Sequence, residues 1–228
     1  MSKRLVVFTG AGISAESGLK TFRGSDGLWE GYRIDEVATP EAWKKDAPKV
    51  LEFYNLRREQ CIAAQPNAAH RALSEMESEF DVQVITQNID DLHERAGSSH
   101  VLHLHGEIMK AQSSLNPRFV YGMNTDAINM GDTCELGSQL RPHVVWFGEA
   151  VPNLEIAAQM VRDADIFVVI GTSLQVYPAA NLLYEVNANC AVYLIDPNAA
   201  AFSVDGHIKR IPAAATEGVS ILRKLITE

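Results

Sequence analysis

Residues 8–18 read FTGAGISAESG, and this stretch decides the fold. The apolar run RLVVFT (4–9) leads into it as a buried-strand candidate. Gly10-Ala11-Gly12-Ile13-Ser14-Ala15 then fits G-x-G-x-x-A, a turn from a strand into a helix. Gly10 allows the tight turn, Gly12 lets a pyrophosphate approach the backbone, and the helix N-terminus faces the negative charge. Alone, the match also fits an ordinary strand-to-helix turn.

Outward from this turn, VQVIT (82–86), VLHLH (101–105), IFVVIG (166–171) and AVYLID (191–196) repeat the buried-strand pattern. Helical patterns lie between them. Thr39 caps a helix opened by Pro40, and PKVLEFYNLRREQCIAA (48–64) follows. Asn67 caps the pattern 67–79, and further helices are expected over 153–164, 177–188 and 215–227. Strands alternating with helices predict a mostly parallel sheet with helices on both faces. From Gly106 to Arg141 no period is sustained. A structureless loop of that length is uncommon inside a compact domain, so a small inserted lobe is expected there. Phe119, Val120, Tyr121, Met123 and Ile128 are the candidates for its core.

The chain has 228 residues, 46% of them apolar, enough for one α/β domain plus a small lobe. Its formal charge of −9 argues against a nucleic-acid backbone binder, which needs a basic face. Cys61, Cys134 and Cys190 are scattered, which points to a reducing compartment without a disulfide frame. No apolar run nears the roughly 20 residues of a membrane span, and the first residues lack a signal-peptide pattern. A soluble cytoplasmic protein with no nucleic-acid or membrane partner is expected, and a monomer.

A standard dinucleotide fold places an acidic residue about 20 positions after the glycines. Here the next convincing strand begins only at Val82, and LKTFRGSDGLWEGYRIDEVATP (19–40) intervenes. That segment is long enough to close over a ligand, with Phe22 and Arg23 as its obvious working residues. Ligands of α/β sheets gather at the carboxyl ends of strands. Four such ends carry polar chemistry: Gln87-Asn88-Ile89-Asp90, His105-Gly106, Gly171-Thr172-Ser173 and Asp196. Each alone reads as a cap or turn, Asp90 as the cap of DDLHERA (90–96); together at one edge they favour a built site. His103 and His105 lie two apart on a strand and so share a face. His103 reads as a hydrogen-bonded core histidine, His105 as a general base near neutral pH.

On the 48–64 helix, Val50, Tyr54, Arg57 and Cys61 share one face, while Arg58 points elsewhere. Arg57 then either snorkels to water or sits beside the Tyr54 hydroxyl, ready for a carboxylate.

GAGISAESG…TFR, TQNIDDLHERAG, LHG, RPHVVWFGE and GTS occur in that order. Together they resemble the sirtuins, NAD-dependent protein deacylases, from Leu5 nearly to the C-terminus. The resemblance implies a Rossmann-like, doubly wound α/β domain over residues 1–105 and 142–228. It also implies a small inserted lobe over 106–141 and a helical insertion around 38–66 beside the substrate cleft. Gly10, Ala11, Gly12 and Ser14 would line the phosphates of NAD. Phe22 and Arg23 would belong to a mobile cofactor loop, and Ala15 and Trp29 to the cofactor-binding set. Gln87, Asn88, Ile89 and Asp90 would form the nicotinamide and ribose region. Gly171, Thr172, Ser173 and Asp196 would face the adenosine ribose, with Ala215 near the adenine. Val145, Trp146, Phe147, Gly148 and Glu149 resemble the strand on which a substrate peptide adds β-fashion. The implied reaction is acyl-lysine plus NAD giving lysine, nicotinamide and O-acyl-ADP-ribose, with His105, Asn88 and Asp90 as catalytic residues. Tyr54 and Arg57 look like the pair of the class III branch, which prefers succinyl- and malonyl-lysine.

The chain departs from the family in its small lobe. Most sirtuins hold a structural zinc there on two Cys-x-x-Cys pairs, which align with Ser113, Asn116, Thr133 and Leu136. Cys134 is one position off, and a tetrahedral thiolate site cannot be assembled from it. No zinc is expected, and the lobe must hold by packing. Asp196, where sirtuins often have Asn, would disfavour a 2′-phosphate. Two other readings stand beside the deacylase: an NAD-consuming hydrolase or ADP-ribosyltransferase, and a non-catalytic nucleotide-sensing module.

Overall fold

A computed structural model describes residues 2–20, 28–29, 31–123 and 126–227, with 28 and 29 placed by backbone alone. Its strands are β1 (Arg4–Thr9), β2 (Leu28–Trp29), β3 (Tyr32–Arg33), β4 (Asp81–Thr86), β5 (Val101–His103), β6 (Gly106–Ser113), β7 (Val120–Gly122), β8 (Leu140–Val144), β9 (Ile166–Ile170), β10 (Ala191–Ile195) and β11 (Lys209–Ile211). Its α-helices are α1 (Ala11–Ala15), α2 (Ile34–Val37), α3 (Pro40–Lys45), α4 (Ala47–Ala63), α5 (Ala68–Glu75), α6 (Leu92–Arg95), α7 (Leu154–Arg162) and α8 (Ala215–Thr227).

Six strands form one parallel sheet in the order β11-β10-β9-β1-β4-β5. Counted along the chain within that sheet, this is the 3-2-1-4-5-6 order of the Rossmann arrangement, and it reverses between β1 and β9. The sheet is covered on both faces, as its unbroken apolar runs require. Leu5 and Val7 pack with Ala69 and Leu73 of α5 and Val219 and Leu222 of α8. Val6 and Phe8, pointing the other way, pack with Ala157, Ala158 and Val161 of α7.

Local signals explain the helix starts. The Thr39 hydroxyl accepts from Ala42 N–H, with Pro40 in the first turn of α3. Asn67 and His70 form a reciprocal capping box on α5. The helix expected over 177–188 is instead a six-residue 3-10 run, Ala179–Tyr184, started by Asn181 N–H donating to Pro178 O. No helix among the described residues is long and apolar enough to cross a membrane.

The stretch without a period holds an antiparallel sheet in the order β7-β6-β8. A register shift between Gly106 and Ala111 breaks the alternation of β6, which is why no period of two shows in the sequence. In this lobe Ile128 is buried, against Leu51 of α4 and Ala111 of β6. Val120 is a correction: it lies on the edge strand β7 and is 39% exposed. A further apolar cluster joins α4 to this sheet through Val50, Phe53, Tyr54, Ile108, Val144 and Trp146.

Candidate active site

Register brings the strand ends to one edge. Thr9 pairs with Thr86 and with Ile170, Thr86 with His103, and Ile170 with Ile195. The residues that follow these ends therefore meet around a cleft of about 450 Å³. Gly10, Ala11, Gly12, Ser14 and Ala15 line it from the first turn, and Gln87, Asn88, Ile89, Asp90 and His105 from the next two ends. Gly171, Thr172, Ser173, Asp196 and Ala215 complete that side. Tyr54, Arg57, Val145, Trp146, Phe147, Gly148 and Glu149 face them from the opposite wall. Phe22 and Arg23 lie outside the described residues, and Trp29 is placed only by its backbone, paired with Tyr32.

The glycines of the first turn answer to the protein as well as to any ligand. A Cβ on Gly12 would lie 2.6 Å from Gly171 Cα, and one on Gly10 2.9 Å from Gly171 O. Gly10 N–H donates to Ile170 O and Gly12 N–H to Gly171 O, at 3.0 and 2.8 Å. Those two amides join the β1 and β9 ends. The close approach itself forms the crevice at the point where strand order reverses.

His105 Nδ1 lies 3.0 Å from Gln87 O. A carbonyl only accepts, so Nδ1 carries the proton and Nε2 keeps its lone pair. Burial lowers the His105 pKa, and the Gln87 bond offsets part of that, so the ring is a neutral base at pH 7. Gln87 Nε2 donates to Thr172 Oγ1 at 3.0 Å, tying the β4 and β9 ends. Ser14 Oγ donates to Asp90 Oδ2 and accepts from Asn88 Nδ2, both at 3.1 Å. Asp90 Oδ1 accepts Leu92 N–H at 3.2 Å, so Asp90 binds the first residue of α6 and lines the cleft, while the N-cap position itself is Asp91, which corrects the reading of Asp90 as the cap. Burial raises its pKa, against the Leu92 and Ser14 bonds.

β5 ends at His103, so His105 lies beyond the strand and the shared-face expectation does not hold. The His103 ring faces Asn88 O at 2.9 Å and Glu94 Oε1 at 2.8 Å. Burial alone would lower its pKa; the Glu94 bond and charge outweigh that and raise it. Under the floor, Thr9 Oγ1 donates to Thr86 Oγ1 and accepts from His93 Nε2. His93 in turn meets the His70 ring edge-on at 4.9 Å.

The sequence pattern of the Sir2 family matches residues 10–178. The chain belongs to the Sir2 family. It is 51% identical over 225 residues to the NAD-dependent protein deacylase of Helicobacter pylori, with 98% of each chain covered. It is equally identical over 233 residues to the NAD-dependent protein deacylase of Bacteroides thetaiotaomicron, with 98% of each covered. Among solved structures it is similar to a Sir2 homologue–NAD complex, with a TM-score of 0.85 and 42% identity over 99% of this chain and 91% of that one.

This Sir2 chain builds its second wall with arginines. Tyr54 and Arg57 are buried side by side on α4, 2% and 6% exposed. Burial raises the Tyr54 phenol, while the neighbouring Trp146 side chain and the charges of Arg141 and Arg57 pull the other way. Arg58 does point elsewhere, but inward. It is fully buried, with Nε donating to Ile108 O at 2.8 Å and Nη1 to Asn55 Oδ1 at 2.7 Å. Burial lowers its pKa to about 10. Asn55 also bonds both Ile128 N–H and Ile128 O, joining α4 to the lobe. Sequence reading passed over Arg58 and Asn55 because periodicity does not reveal a polar group that turns toward another element. It also missed Glu16, whose carboxylate accepts from Thr216 N–H and Oγ1 and ties the first turn to α8.

Residues 145–149 are not a strand, because β8 stops at Val144. Val145 N–H donates to His105 O, Trp146 N–H to Glu149 Oε2, Phe147 N–H to Ala38 O and Glu149 N–H to Trp146 O. A peptide adding here meets a turn whose donors are largely engaged, which corrects the β-strand expectation.

At the positions aligned with the zinc ligands, the donors are the wrong chemistry for a thiolate site. Ser113 Oγ instead contacts Ser138 Oγ at 2.8 Å and accepts from Leu115 and Asn116 N–H. Cys134 Sγ lies 3.4 Å from Ser113 Oγ and 3.1 Å from Ser138 Oγ. Those bonds draw its thiol pKa down to about 7. Among the described residues no group of three or more His, Cys, Asp and Glu is placed to hold a metal.

Proposed function

We propose that this chain removes acyl groups from protein lysine with NAD as co-substrate, and that it prefers acidic acyl chains such as succinyl and malonyl. The observation that carries the reading is one cleft with a neutral His105 at its floor and the Tyr54–Arg57 pair on its wall. The cleft suits a dinucleotide: carboxylates of Asp90 and Asp196 can accept from ribose hydroxyls, and the glycine turn lets a ligand approach the backbone. The bound dinucleotide supplies an electrophilic ribose carbon once nicotinamide leaves. Asn88 and Asp90, coupled through Ser14, orient the groups around that carbon. His105 Nε2 takes the proton of a ribose hydroxyl, while Gln87 O holds the ring in the needed tautomer. Arg57 pairs with the carboxylate of the acyl chain, and Tyr54 adds a hydroxyl beside it. Asp196 opposes a 2′-phosphate and favours NAD over its phosphorylated form. The lobe, taken as 106–141, is held without zinc.

The test is nicotinamide release from NAD in the presence of succinyl-, acetyl- or unmodified lysine peptide. Release that depends on acylated peptide, fastest with succinyl, supports the reading. Release without peptide assigns the chain to NAD hydrolysis or ADP-ribosyl transfer, and NAD binding without release makes it a sensor. Arg57→Met separates the finer claim: succinyl use should fall while acetyl use stays, and equal losses leave Arg57 structural.

A further inference from the structure

Behind the acyl wall, one side chain gathers the whole 144–149 turn. Arg141 is 7% exposed and lies on β8, outside the lining of the cleft. Its guanidinium carbon stands 3.2 Å from the centroid of the Trp146 ring. Nη1 and Nη2 form a fork to Glu149 Oε1 and Oε2 at 2.7 and 3.0 Å, and Nη2 also donates to Val144 O at 2.8 Å. Glu149 Oε2 accepts Trp146 N–H at 2.8 Å, so the same carboxylate grips the Trp146 backbone. Arg141 thus holds the start, the end and the central ring of the turn at once.

The ring it holds forms a wall of the cleft. Trp146 is buried, packs with Val50, Phe53 and Tyr54, and meets Trp43 at 5.7 Å between centroids. The turn is also tied to the chemistry, because Val145 N–H donates to the carbonyl of His105. A shift of the turn therefore moves the wall beside Tyr54 and strains the residue that carries the base.

We propose that Arg141 is a positioning residue for acyl selectivity: through its stack on Trp146 and its fork to Glu149, it sets the wall against which the acyl chain is measured. This rests on the deacylase reading above. Three properties of arginine are needed together: a flat face for the indole, a paired fork for the carboxylate and a spare donor for Val144 O. Lysine keeps the charge and loses the plane and the fork.

The experiment compares wild type, Arg141→Lys and Glu149→Gln with succinyl- and acetyl-lysine peptides. It measures kcat and KM for peptide and for NAD, calorimetric peptide affinity and melting temperature. Arg141→Lys should raise the peptide KM and weaken peptide binding about 10- to 100-fold, as expected for a misplaced wall, and should change the succinyl-to-acetyl ratio. The KM for NAD should move less than about twofold, since the nucleotide wall is built from other elements. Glu149→Gln, which keeps the shape and weakens the fork, should give a smaller change in the same direction and serves if the arginine variant does not fold. An unchanged peptide KM and acyl ratio, or equal rises in the KM for peptide and NAD, would overturn the proposal even if melting temperature falls. A wild type that turns over no acylated peptide sinks the deacylase reading first, and this inference with it.

Discussion

The cleft wall proposed for the nucleotide stands on backbone register, whereas the wall proposed for the acyl chain stands on side chains that cross between elements. On the first, parallel pairing of β1, β4 and β9 delivers Gly10, Gln87 and Gly171 to one edge, and short bonds such as Gln87 to Thr172 only lock what pairing has placed. On the second, α4, β6 and β8 share no ladder across the interface of helix and sheet. Arg58 and Asn55 tie α4 to β6 and the lobe through Ile108 O, Ile128 O and Ile128 N–H, and Arg141 ties β8 to the turn that follows it through its fork to Glu149. A wall fixed by many backbone bonds tolerates loss of any one of them. A wall fixed by few buried polar side chains is exposed to single substitutions, because each leaves buried partners unsatisfied.

The largest effect tests the chemistry of the first wall. His105→Ala should lower kcat/KM for acyl-peptide by about 10²–10⁴ while calorimetry finds NAD affinity little changed. Turnover like that of wild type would remove His105 from its role and leave the two walls without a shared reaction.

Beneath that wall the histidines set a pH dependence. Burial pushes His70 down to about 4 and His93 well below its ordinary value. Below about pH 6.5 the unfolded chain takes up protons that the folded chain refuses, so folding stability falls as pH drops toward about 4. His103, with a raised pKa, works in the opposite direction and offsets part of the fall. The His70 contribution is at most on the order of 3 kcal/mol. Urea midpoints at pH 7.5 and 5 measure it, and a midpoint that does not fall at pH 5 contradicts neutral burial.

On the second wall, Asn55→Ala strips partners from Ile128 N–H, Ile128 O and the Arg58 guanidinium. It should cost about 1–3 kcal/mol by chemical denaturation and raise the KM for peptide more than that for NAD. Equal changes in the two KM values would show that the walls are mechanically one.

The smallest effect concerns the lobe. Cys134→Ala removes only contacts to two serine hydroxyls, so a loss of about 1 kcal/mol or less is expected, and a chelator should leave the melting temperature unchanged. A chelator-induced drop of several degrees would reveal a structural metal and reverse the account of how this lobe holds.

The central strands, the caps at Thr39 and Asn67 and the polar strand ends were legible because each is written in neighbouring residues. Hydrophobic runs and capping side chains act over a few positions. The lobe strands were hidden because the shifted register of β6 erases the period-two signal. Residues 145–149 were read as a strand from their resemblance to the family's peptide-binding strand, but the Glu149 carboxylate takes the Trp146 amide and the segment is a turn. His105 was found for a reason that survived, its place after a strand end followed by Gly106. The shared-face argument did not survive, since β5 stops at His103.

By itself the sequence determined an α/β sheet, a glycine turn at its first strand and a set of polar residues after the strand ends, all of which depend on short-range pattern. Tertiary structure alone decided that Gly10 and Gly12 spend their amides on the β9 end, that Arg58 turns inward and that Arg141 stacks on Trp146. Those facts depend on which distant groups a buried donor meets, and local sequence carries no record of that.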